Sequence, residues 1–143
     1  MDGSENALRA VDHAGFMLSG TDCRITVFHS MRHLRRYVPK EVLEGASDLE
    51  QLWKEKTARQ ISPNIKKARE MLSDAGLNAD QIATKVVDAS QTAAYDILRE
   101  AKDNDYGTIV LGRRGISALK EFFIGSVTSR ILHNSYGLAV WIV

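Results

Sequence analysis

Gly112, Gly115, Gly125 and Ser126 stand at a spacing that suits phosphate binding: glycine, two residues, glycine, nine residues, then Gly-Ser. The stretch opens with Thr108-Ile-Val-Leu111, whose apolar and β-branched residues predict a strand buried on both faces. Glycine at 112 and 115 lets the backbone turn sharply and come close to a ligand. Ser126 reads as the N-cap of a helix carrying Val127, Ile131 and Leu132. The first amides of such a helix have no partner within it, and its positive end attracts anions. Arg113 and Arg114 add charge beside it, and Arg114 can grip a phosphate with its planar fork. Ser126 and Thr128 offer hydroxyls, whereas Val127 can act only through its amide. The spacing is neither that of a P-loop, which ends in Gly-Lys-Ser/Thr, nor that of the three-glycine dinucleotide fingerprint. Taken singly, each glycine would equally serve a tight turn or a helix end.

The elements that must position this cradle can be read in chain order. Ser4 predicts the cap of a helix with Ala7, Leu8, Val11, Ala14, Gly15 and Leu18 on one face, stopped by Gly20. Ile25 to Phe28 reads as a strand, and residues 31 to 47 read as a loop. A long helical pattern runs from Asp48 to Gly76. Pro63 is expected to break or kink it, with Ser62 capping the second piece. Ile82 to Val87 predicts another strand, and Ser90 the cap of a helix with Ala94, Ile97, Leu98 and Ala101 inward. After the cradle helix, Leu138 to Val143 predicts a last strand. Strands alternating with helices give an α/β, doubly wound parallel sheet, whose ligands bind at the carboxyl ends of the strands near the topological switch point.

At 143 residues the chain suits a single domain over 1–143, and 44% hydrophobic with 26% charged residues is an ordinary globular composition. A net charge of +1 gives no bulk attraction to nucleic acid or membrane. The single cysteine, Cys23, excludes an intrachain disulfide and fits a reducing compartment, so the cytoplasm is expected. His13, His29, His33 and His133 show no metal spacing, and Arg32, Arg35 and Arg36 read as a solvated loop face. No nucleophile–base or paired-carboxylate arrangement stands out.

The glycine spacing resembles the ATP-binding signature of the universal stress protein family, and the likeness extends from Asp2-Gly-Ser-Glu-Asn to Ala139-Val-Trp-Ile-Val143. The resemblance implies a Rossmann-like fold of the adenine nucleotide alpha hydrolase type. It implies that ATP, with Mg²⁺ or Mn²⁺, is held by Leu111, Gly112, Arg114, Gly115, Gly125, Ser126, Val127 and Thr128. Asp2, Ser30 and Val87, at the ends of the first three strands, would line the adenosine end. Asp88 stands where many relatives have glycine, and an acid there repels phosphate. Family members begin with an apolar strand before the Asp-Gly-Ser turn, whereas only Met1 precedes Asp2 here. The first strand is therefore expected to be missing or truncated, through a shortened reading frame or a cut from a larger protein. The function implied is a regulatory module that binds ATP with little or no hydrolysis. A dimeric assembly module without nucleotide, or a slow ATPase, are the alternatives. The resemblance, with the exposed apolar edge of 138–143, implies a homodimer in which Val140, Trp141 and Ile142 meet their copies.

Overall fold

The structure is a computed structural model that describes residues 1–34, 37–43, 47–115 and 124–143. Helix α1 covers Glu5–Leu18, strand β1 Ile25–Met31, the short helix α2 Lys40–Leu43 and the long helix α3 Ser47–Asp74. Then follow β2 (Ile82–Asp88), α4 (Ala93–Asp103), β3 (Thr108–Leu111), α5 (Ser126–Asn134) and β4 (Ala139–Ile142). The fold is α/β and Rossmann-like, with every strand pair parallel.

The sheet comes in two halves. β1 pairs with β2 from Ile25↔Ile82 to Met31↔Asp88, and β3 pairs with β4 from Thr108↔Ala139 to Leu111↔Ile142. Among the described residues no strand joins β1 to β3. The apolar interior divides in the same way. Val27, Ala68, Leu72, Leu77 and Ile82 form one cluster, and Ala94, Ala101, Ile109 and Ile131 form the other. Two helices tie the halves together: α1 packs on α3 and on β3, while α4 packs on α5 and on β1.

Local chemistry explains most boundaries. Ser4 caps α1, its side chain accepting from the Ala7 amide at 3.2 Å. Gly15 is buried where α1 meets the end of α3, since a Cβ there would lie 2.9 Å from that of Ala75. Several expectations are corrected. Pro63 neither breaks α3 nor gives Ser62 a cap to make, because the helix runs through both. Proline removes only one intrahelical bond, and Ile61, Ala68 and Leu72 bury a continuous apolar stripe that holds the helix together. The stretch read as loop contains α2 and the start of α3. Arg35 and Arg36, and positions 116–123 of the cradle, lie outside the described residues.

The caps move as well. Thr92, not Ser90, caps α4, accepting from the Tyr95 amide at 3.2 Å. Gly125, not Ser126, is the N-cap of α5, and a glycine has no side chain with which to cap the helix. In β4, Val140 joins the second apolar cluster and Trp141 lies edge-on to His13 of α1, with ring centroids 6.2 Å apart. At least part of the tryptophan therefore serves the chain's own packing.

Candidate functional site

The carboxyl end of β3 turns at Gly112, and the first turn of α1 presses on it. A Cβ on Gly112 would stand 2.6 Å from the backbone carbonyl of Asn6, so only glycine fits. The two ends of the cradle are then fastened together. The Arg113 amide donates to Val143 O at 2.7 Å, and the Gly125 amide donates to Arg113 O at 2.8 Å. Gly115 faces the carboxylate of Asp2, which a Cβ would strike. A Cβ on Gly125 would come within 3.3 Å of Arg114 Cα. Three glycines thus bring backbone to backbone, or backbone to a side chain, around one small space.

The polar groups at this turn fall into two sets. Thr128 is buried, and its hydroxyl donates to Gly112 O at 3.0 Å, so it braces the glycine turn. The Nε of Arg114, by contrast, is buried without a hydrogen-bond partner among the described residues. The N-terminus of α5 starts from Gly125 in an extended conformation with no side-chain cap. By helix geometry the amides of Ser126, Val127 and Thr128 have no acceptor in the helix. An arginine and a helix N-terminus lining the same cleft are donors that suit an anion.

A cleft of about 2080 Å³ runs from this turn down between the two half-sheets. Of the residues singled out in the sequence, it is lined by Asp2, Ser30, Leu111, Gly112, Arg114, Gly115, Gly125, Ser126, Val127 and Thr128. Val87 is not among its lining; it lies on β2 in register with Ser30. Asp2 accepts from the Ser4 amide at 3.0 Å and lies against Gly115, so it is at the phosphate-side turn as much as at the strand end. Ser30 donates to Asp96 Oδ2 at 2.7 Å. Asp88 does not act as a bare charge, since Lys54 Nζ lies 2.9 Å from its carboxylate. That contact holds the Lys54 ammonium above its ordinary value.

Two residues given no part by the sequence lie close to the cleft. Asp96 is only 1% exposed and binds Ser30 together with the amide and hydroxyl of Ser90. The signal for it was an acid in the first turn of a helix, six residues after a serine. His29 on β1 contacts the Met1 carbonyl through Nδ1, while its buried Nε2 has no partner. Burial, above all, holds the His29 imidazole below its usual value. Among the described residues no cluster of His, Cys, Asp or Glu could hold a metal ion, and no helix is long and apolar enough to cross a membrane.

The comparisons with known proteins agree with this architecture. The family model described as "Universal stress protein family" matches residues 1–137. The universal stress protein YxiE of Bacillus subtilis (strain 168) is 26% identical over 135 residues, covering 92% of this chain and 86% of that protein. Among solved structures, the hypothetical protein MJ0577 superposes with a TM-score of 0.77 at 21% identity, covering 100% of this chain and 90% of that one. A universal stress protein in complex with cAMP superposes with a TM-score of 0.66 at 22% identity, covering 100% and 91%. With a matching family model over nearly its whole length and the same fold in its structural neighbours, the chain belongs to the universal stress protein family.

Proposed function

We propose that the chain is a regulatory module that binds ATP at the turn between β3 and α5, with little or no hydrolysis. The observation that carries this reading is that Arg114, whose Nε has no partner among the described residues, lines the same cleft as the N-terminus of α5. The three glycines let the chain's own segments close up into the turn that presents these donors. Ser126 would add a hydroxyl, and Gly112 and Gly115 a close backbone, whereas Thr128 would support the turn from behind. Asp2 and Ser30 would border the nucleoside. Mg²⁺ or Mn²⁺ arriving with the triphosphate would screen it from the Asp2 carboxylate. The structural neighbour that carries cAMP supports an adenine nucleotide as the ligand class. The lone cysteine supports a reducing compartment, and we place the protein in the cytoplasm.

Calorimetric titration with ATP and Mg²⁺, alongside cAMP, tests the reading. Gly125→Val should abolish binding, because the extended conformation of Gly125 admits valine but its side chain pushes on the Arg113–Gly115 backbone that forms the cradle, and the melting temperature of the variant checks that the chain stays folded. If Gly125→Val binds ATP as well as the parent, the cradle is not the site. Steady phosphate release that is lost in Gly115→Val would favour a slow ATPase instead.

Assembly is a second part of the same reading. The amides of Ala139 and Val143 bond β3, so by alternation Val140 and Ile142 turn their backbone groups outward. An open edge of this kind is a template for another strand, and we place a homodimer there, about a twofold axis. Sedimentation of the wild type and of the doubly substituted Val140→Arg, Ile142→Arg chain checks it. A monomer at tens of micromolar, roughly the range of such contacts, would sink it.

A further inference from the structure

Gly115, Asp2 and Ser30 follow one another across the carboxyl end of the sheet. Gly115 faces the Asp2 carboxylate, so Asp2 is next to the turn that suits phosphate. The His29 ring meets the Met1 carbonyl, which brings the next residues of the two segments, Ser30 and Asp2, to one level. Ser30 stands on β1, in the other half of the sheet from the β3–α5 turn, and lines the cleft. A nucleotide with its phosphates at that turn has its ribose by Asp2 and its base by Ser30.

The direction of one hydrogen bond then decides which base. A serine hydroxyl has a single hydrogen to give and lone pairs with which to accept. Ser30 gives its hydrogen to Asp96 Oδ2 at 2.7 Å. Asp96 is only 1% exposed, and its Oδ1 takes the amide and the hydroxyl of Ser90. Toward the cleft, Ser30 Oγ therefore offers lone pairs alone. Turning the hydrogen to a neutral ligand group would strip a donor from a buried carboxylate, and a bond to a carboxylate is the stronger of the two.

We infer that Ser30 selects a purine carrying an exocyclic amino group, and that Asp96 is the positioning residue that gives Ser30 this polarity. The inference rests on the nucleotide reading above and adds the base to it. The amino group of adenine donates to Ser30 Oγ. Guanine and hypoxanthine carry a carbonyl in the same place, and two acceptors would face each other there. A serine alone would not discriminate, because a free hydroxyl turns to suit either partner. The discrimination comes from an acid on α4 that is not among the residues lining the cleft.

Calorimetry with Mg²⁺ compares ATP with inosine triphosphate, which has a carbonyl in place of the amino group. The parent chain should bind ATP about tenfold more tightly. Ser30→Ala removes the acceptor and should bring the two nucleotides within about twofold of each other. Asp96→Asn keeps the shape of the buried side chain. Its amide oxygen can stay with the two Ser90 donors, and its NH₂ then takes the place of Oδ2 and donates to Ser30. That frees the Ser30 hydrogen for the cleft, and the preference should reverse in favour of inosine triphosphate. A merely structural Asp96 would weaken both nucleotides alike. Melting temperatures check that the variants are folded, and Ser30→Ala decides by itself where Asp96→Asn is not. A parent that binds both nucleotides equally would overturn the inference, as would a preference left unchanged in Ser30→Ala or in folded Asp96→Asn. In each of these cases ATP still binds and the cradle stands. A parent that binds neither nucleotide would overturn the cradle and this inference together.

Discussion

Two strand-to-helix turns, one in each half of the sheet, treat their polar groups in opposite ways. At the β2–α4 turn the buried acid and the helix cap are matched within the chain. Asp96 takes hydrogen bonds from Ser30 and from both the amide and hydroxyl of Ser90, Arg99 lies 3.9 Å away, and Thr92 caps the helix. At the β3–α5 turn the N-cap is a glycine without a side chain and, among the described residues, Arg114 Nε has no partner. A matched turn is a scaffold, because its groups gain nothing from a ligand. An unmatched turn costs stability while empty and recovers it on binding. The difference explains why a site can sit at one turn and not at its neighbour, although both begin at a strand end and lead into a helix.

The largest expected effect breaks the matched turn. Asp96→Ala removes a buried acceptor and leaves Ser30 and the Ser90 amide and hydroxyl without one. Denaturant unfolding should show a loss of about 3 kcal/mol. A variant as stable as the parent would mean that the two turns do not differ in the way described. At the open turn the order of effects should reverse. Ser126→Ala should leave unfolding unchanged, since Ser126 makes no capping bond. It should weaken ATP binding by about 1 kcal/mol, the scale of one hydrogen bond. A stability loss without a change in affinity would move Ser126 from ligand contact to scaffold.

The sequence showed much of this contrast but not its cause. The glycine spacing marked the open turn, because close backbone approach demands a specific residue type, as Gly112 against Asn6 makes plain. The strand and helix positions followed from periodicity, which survives any detail of packing. Which polar residue bonds which is a matter of three-dimensional proximity. Ser90 and Ser126 both looked like caps. One is drawn off by an acid six residues on, and the other is displaced by a glycine that already adopts the cap conformation. Pro63 was misleading for a similar reason, since the apolar stripe of α3 outweighs one missing bond. The division of the core into two clusters had no sequence signal beyond the short stretch before Asp2.

His29 extends the comparison to pH. Burial keeps its imidazole neutral in the folded chain, and its folded value lies below the ordinary 6.5. The unfolded chain therefore binds more protons in the window just below 6.5, and stability must fall as the pH drops through it. Once the folded value is passed, the loss is complete. Denaturant midpoints from pH 7.5 to 5 should decline in the parent and decline less in His29→Gln. Equal slopes in the two chains would assign the pH dependence to other groups.

The smallest effect concerns Asp88, which ends β2 beside the matched turn. Its charge would oppose a bound triphosphate if it stood bare. Lys54 lies 2.9 Å from it and supplies the opposite charge, so the pair presents little net field to a phosphate across the cleft. Both partners are partly exposed, and solvent screens what remains. Asp88→Asn should therefore change ATP affinity by no more than about twofold. Lys54→Ala should do more than Asp88→Asn, because it uncovers the carboxylate, and the excess should shrink as salt rises. Tighter binding by tenfold in Asp88→Asn would show that the acid is felt at the phosphates despite its partner. The matched turn would then shape the open one through its charge, and the division between scaffold and site would be less sharp than the hydrogen bonds draw it.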